Sequence, residues 1–124
     1  MSTSTLLLSL FKYKAWANAE LFAELEKLDT QQRQAERHLA IRLLNHIHVV
    51  DRIFAAHLGG QAHGYTATNT PETPTLAELR DAVAQTDRWY LQYIEGLAPP
   101  QFEEKLPFVF TDGQNGLMSR EEML

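Results

Sequence analysis

Leu43-Leu44-Asn45-His46-Ile47-His48-Val49-Val50-Asp51 is the stretch whose reading decides the fold of this chain. At about 100° per residue, the segment from about Glu36 to about Leu58 places Leu39, Leu43, His46, Val50, Ile53 and His57 on one stripe, with Phe54 alongside. His48, Leu44, Asp51 and Ala55 fall on the other side. The spacing predicts a long amphipathic helix with an imidazole in the middle of its inward face. A metal ligand would stand there, and so would an ordinary buried histidine. Gly59-Gly60 closes the helix, since glycine readily takes the left-handed conformation of a helix C-terminus.

The flanking segments have the same period. From about Thr5 to about Leu28, Leu7, Phe11, Asn18, Phe22 and Leu25 share a face. Asn18 is the odd member, because an amide among apolar side chains needs a partner. Asp29 to Arg37 is a polar, Gln-rich connection that has room for a short helical turn. Gln61 to Pro74 is a loop by composition, long enough to cross a bundle. Thr75 and Glu78 form a capping box that opens a third helix, running to about Leu97 and burying Leu76, Leu79, Val83, Tyr90, Ile94 and Leu97. Pro99-Pro100 ends it.

Beyond the prolines the period changes. A short hairpin or extended loop is expected over about 102–118, turning at Thr111-Asp112-Gly113-Gln114-Asn115-Gly116 and interrupted by Pro107. Ser119 and Glu122 make a second capping box, so 119–124 reads as the start of a fourth helix. The pattern predicts a single all-α domain over residues 1–124, a four-helix bundle whose fourth helix is only begun.

Composition narrows the function. A net charge of −5 argues against a protein that grips nucleic acid over its whole surface. The absence of cysteine excludes disulfides, thiolate ligands and a thiol nucleophile. The apolar run Leu6-Leu7-Leu8-Ser9-Leu10 is too short for a bilayer span and lacks the flanks of a signal peptide, so a cytoplasmic protein with no membrane partner is expected.

Five histidines are present, but no helix-borne pair forms a site. His46 and His57 share a face eleven positions apart, about 16 Å along a helix. His46 and His48 point apart, and no His, Asp or Glu stands three or four residues from His46. A lone histidine on an apolar face is read first as a core or surface-edge residue, and Asn18 as bonded to a backbone group or to His46. Trp16, opposite the Asn18 face, reads either as loose surface packing or as a dimer contact. Glu20, Glu24 and Lys27, and likewise Glu103, Glu104 and Lys105, read as solvated faces. There is no glycine-rich phosphate loop, nucleophile elbow, H-E-x-x-H or EF-hand loop.

Three stretches carry a resemblance to a known family. Leu10-Phe11-Lys12-Tyr13-Lys14-Ala15-Trp16-Ala17-Asn18 resembles the opening helix of the DinB/YfiT-like family of damage-inducible proteins. The stretch from Leu43 to Phe54 resembles its second helix. The hairpin, the Asp112-Gly113 turn and Ser119-Arg120-Glu121-Glu122-Met123-Leu124 resemble the run into its fourth. The resemblance implies an up-down-down-up four-helix bundle with a crossover connection, in most cases a homodimer. It implies a divalent metal, zinc or nickel, held by three histidines. His46 matches the ligand on the second helix, and the other two belong to an H-x-x-x-H pair on the fourth helix. Asn18 matches a polar residue that faces the same cavity, a cofactor-binding position. Some relatives are transferases or isomerases that use a low-molecular-weight thiol on a small-molecule substrate, chemistry suited to a metal that lowers a thiol's pKa. The chain stops before the H-x-x-x-H pair, so it is expected to be C-terminally incomplete, with metal binding in doubt unless His57, His63 or a second subunit supplies ligands. The alternative expectation is a non-catalytic helical dimer or binding module with no bound metal.

Overall fold

The computed structural model describes residues 2–124. Three long helices dominate: α1 Thr3–Glu26, α2 Gln34–Gly59 and α3 Leu76–Glu95. A 3-10 turn at Pro99–Glu103 leads into a hairpin of β1 Lys105–Val109 and β2 Asn115–Ser119, and α4 Arg120–Met123 follows. The fold is therefore mostly helical with a small antiparallel sheet. Each of the three long helices lies within two or three residues of its expected span.

Local chemistry fixes these boundaries. Ser2 caps α1 by accepting from the Thr5 amide. Thr75 caps α3 as a complete capping box, with Glu78 returning a bond to the Thr75 amide. Gly60 terminates α2 at φ 68°, a left-handed position that a β-carbon disfavours. The Gln61 amide then bonds back to the Ala56 carbonyl, which aims the following loop across the end of α2.

Packing falls into two apolar clusters. One joins Leu7 and Phe11 of α1, Ala55 and Leu58 of α2, and Tyr90 and Ile94 of α3, and is closed by Phe102, Phe108 and Met123. The other joins Phe22, Ile41, Leu76, Leu79 and Val83. Phe11 stacks on Tyr90 at 5.1 Å, while Glu26 at the far end of α1 pairs with Arg80. These contacts make α1 run antiparallel to α3. Ile41 packs beside Leu76 and Leu58 lies near Tyr93, so α2 and α3 run in the same direction. The faces expected for α1 and α3 are the ones buried.

The face expected for α2 needs correction. Its buried line is Ile41, Asn45, Val49 and Ile53, joined by Ala55 and Leu58. Leu39 and Leu43 are 60% and 57% exposed, and His46 is exposed. The stripe is thus rotated by roughly one residue, about 100°. The side assigned to His48, Leu44, Asp51 and Ala55 as outward is where α1 and α3 pack. The physical reason is that α2 has apolar residues around most of its circumference, and tertiary contact chooses among them. No described element covers the Leu39–Leu43–Ile47 edge, so periodicity alone could not rank it below the Ile41–Val49 edge.

The hairpin forms in the expected place. Pro107 sits opposite Leu117 in the ladder. It is tolerated because both strands of a two-stranded sheet are edge strands. Arg120 ties the hairpin down, donating to Tyr93 Oη at 2.9 Å, to the Gln101 carbonyl and to Glu104 Oε2 at 2.6 Å. Glu104 stays on the solvated face expected for it and from there pairs with Arg120. At Gly116 a β-carbon would lie 2.5 Å from Phe108 Cζ and 2.9 Å from Phe110 Cε2, so the two rings depend on its lack of a side chain. We predict that Gly116→Ala lowers stability by about 1–3 kcal/mol, read as a reduced urea midpoint with loss of amide protection across both strands. An unchanged midpoint would show that the rings relax freely.

Candidate functional site

The loop between α2 and α3 is strapped to α2 by side chains of that helix. Asn45 is 4% exposed and uses both amide hydrogens, one on Asn69 Oδ1 at 2.6 Å and one on Thr70 Oγ1 at 2.7 Å. Arg42 donates to the Thr70 carbonyl at 2.8 Å, and Asn69 donates back to the Arg42 carbonyl. Nothing about Asn45 as a residue type announced this role. Its position on the Ile41–Val49–Ile53 line was the available signal.

His46 belongs to the same strap. Its Nδ1 lies 2.6 Å from the Thr68 carbonyl. A carbonyl can only accept, so Nδ1 carries the hydrogen, and in the neutral ring the lone pair is on Nε2. A ring held this way has the orientation and tautomer that metal-binding histidines derive from a backbone carbonyl. The exposed ring leaves Nε2 accessible. One turn along, Val50, Ile53, Phe54, His57 and Phe110 join Thr68 around a cavity of about 100 Å³. His57 is wedged there between Phe108 at 4.7 Å and the edge of His63 at 5.5 Å. Burial, helped by the neighbouring His63, lowers the His57 pKa.

Asn18 lies elsewhere. It donates to Asp87 Oδ2 at 3.0 Å. With Asp87, Ala15 and Val83 it lines a cavity of about 250 Å³ between α1 and α3. Its partner is a carboxylate of α3 rather than His46 or a backbone group, and no hydrogen bond among the described residues joins Asn18 to His46. Asp87 is buried, and burial raises its pKa against the opposing pull of the Asn18 amide and Lys14. In the sequence it stands where the Val83–Tyr90–Ile94 stripe would have an apolar residue, and only the Asn18 amide opposite reveals its role.

Lys14 extends this polar layer. It pairs with Asp51 at 2.6 Å, and its ammonium lies within 6 Å of the Phe11 and Tyr90 rings. Tyr90 donates to the Asp51 carbonyl at 2.6 Å, and burial raises its phenol pKa. His48 is half-buried beside them. Burial lowers its pKa first, then the charges of Arg52 and Lys14, with Asp51 opposing.

Among the described residues, no group of three or more His, Asp or Glu is placed to hold a metal ion. Among the described residues, His46 is thus an imidazole with an Nδ1 hydrogen bond typical of a ligand and with no protein co-ligand beside it. A catalytic zinc needs three, so the residues described do not by themselves fit a tightly held ion.

Over residues 1–124 the sequence matches the DinB family. The chain belongs to the DinB family. Comparison with curated proteins and with solved structures finds no match. Among the described residues of this DinB chain, no helix is long and apolar enough to cross a membrane.

The two depressed histidines set a pH dependence for this DinB domain. A base whose folded pKa lies below its unfolded value contributes stability above the unfolded pKa, and loses it as pH falls through the folded one. For His48 and His57 the loss begins below the ordinary value of 6.5. The urea midpoint should fall between about pH 7.5 and about pH 5.5, and His48→Gln should flatten that fall. A variant with the full wild-type dependence would remove His48 as a source.

Proposed function

We propose that this DinB-family chain is a metal-binding bundle protein in which His46 supplies one ligand to a divalent ion, zinc or nickel, through Nε2. The observation that carries the reading is the bond from His46 Nδ1 to the Thr68 carbonyl, which orients the exposed ring so that the neutral form offers its lone pair at Nε2. Family membership supports it. Since the described residues offer no second and third ligand, the site requires donors from outside this set, with a second subunit as one source. The up-down-down-up order of a four-helix bundle, and transfer or isomerisation with a low-molecular-weight thiol on a small-molecule substrate, are part of the same proposal. Asn18 enters it as a residue that positions Asp87, on a different wall of the bundle.

A second reading is favoured by a separate observation. Leu6, Leu10, Tyr13 and Trp16 on α1, and Leu39, Leu43 and Ile47 on α2, are all between 47% and 65% exposed. Apolar stripes of this extent support a homodimer or a non-catalytic binding module.

Metal content separates the two. In the protein expressed from its complete gene, plasma mass spectrometry should find about one zinc or nickel per chain, and His46→Ala should lose at least about tenfold in metal affinity. Full metal occupancy in His46→Ala would contradict the ligand assignment. No metal in either protein would leave the dimeric module as the standing account.

A further inference from the structure

A cavity of about 200 Å³ lies on the α3-facing side of α2 and shares no lining residue with the cavity beside His46. Its walls include Arg52, Ala56 and Gly59 of α2, His63 and Tyr65 of the following loop, and Trp89 of α3. We propose that this cavity binds a small organic anion, a carboxylate carried on a planar conjugated or aromatic body.

Charge is the first argument. No Asp or Glu lines the cavity. The adjacent acid, Asp51, is engaged by Lys14. The exposed Arg52 guanidinium has no carboxylate partner among the described residues, and a guanidinium is the side chain best shaped to hold a carboxylate through two parallel bonds. His63 adds a second donor. Its Nδ1 accepts from the Tyr65 amide at 3.0 Å, so the ring hydrogen resides on Nε2.

Shape is the second argument. Trp89 is held by stacking on Tyr93 at 5.0 Å and 16°, and by the edge of Tyr90 at 5.1 Å and 89°. It is a wall that does not have to be ordered when a ligand arrives. Tyr65 stacks on His63 at 5.9 Å across the same loop. A β-carbon at Gly59 would already touch Trp89 Cζ2 at 3.9 Å, so the cavity is open because α2 ends in small residues there. Aromatic walls with two convergent donors recognise a flat anion by stacking and by its charge together.

Benzoate is the probe. Trp16→Phe leaves Trp89 as the sole indole, since the chain has two tryptophans. In that background, benzoate should quench fluorescence saturably with a midpoint of about 1 mM, and should shift the amide resonances of Gln61 to Tyr65. Neutral benzamide should do neither. Arg52→Gln, a change at an exposed position, should weaken benzoate at least about tenfold. Ala56→Phe, which fills the cavity, should abolish saturation while the circular dichroism spectrum is retained. Absence of saturable quenching by benzoate would overturn the proposal. So would an equal response to benzamide, or undiminished binding by Arg52→Gln.

Discussion

The amide of Asn45 holds the candidate site together. It is buried, and each of its two hydrogens is used on the loop that crosses from α2 to α3. An unsatisfied buried amide costs about 1–3 kcal/mol, so the loop cannot lift without exposing that cost. Once Asn69 and Thr70 are pinned, the Thr68 carbonyl falls on His46 Nδ1, and the imidazole is left with one orientation and one free nitrogen. The same loop carries His63 and Tyr65 to the other side of α2. The loop that Asn45 pins thus contributes to both cavities that flank this helix.

Beneath the strap, the three long helices pack in layers. Two apolar clusters are separated by charged and polar groups drawn from all three long helices. Lys14 meets Asp51 and Asn18 meets Asp87, each pair bridging two helices at the level between the clusters. Pairs of this kind add little net stability where water reaches them. They do fix register, because sliding one helix by a turn would strand a buried charge. The polar layer holds three groups whose pKa burial shifts, His48 downward and Asp87 and Tyr90 upward.

Much of the helical fold could be read from local chemistry. The capping boxes at Thr75 and Ser119, Gly60 and the Pro99-Pro100 pair mark element ends with groups that act within a few residues. The buried face of α3 followed from its clear periodicity, and that of α1 was legible although apolar residues also line its exposed side. The face of α2 did not, because apolar residues nearly surround it and only tertiary packing selects Ile41, Val49 and Ile53 over Leu39 and Leu43. Candidate site chemistry was readable in part. His46 stands out in the sequence, but its acceptor is a backbone carbonyl 22 residues away. Asp87 and Asn45 were hidden for one reason: a polar residue on an apolar stripe can be paired only once the element opposite is known.

The crossing loop holds the His46 ring through its Nδ1 hydrogen, and the proposed metal would meet it at Nε2. Long-range ¹H–¹⁵N correlation spectra of the histidine rings test it most directly, in the wild-type protein and in Asn45→Ala. One fixed tautomer is expected for His46 in the wild type, protonated at Nδ1, with an Nε2 resonance that moves on adding zinc, and a mixture of tautomers in Asn45→Ala. A wild-type ring protonated at Nε2, or an Nε2 resonance indifferent to zinc, would contradict it.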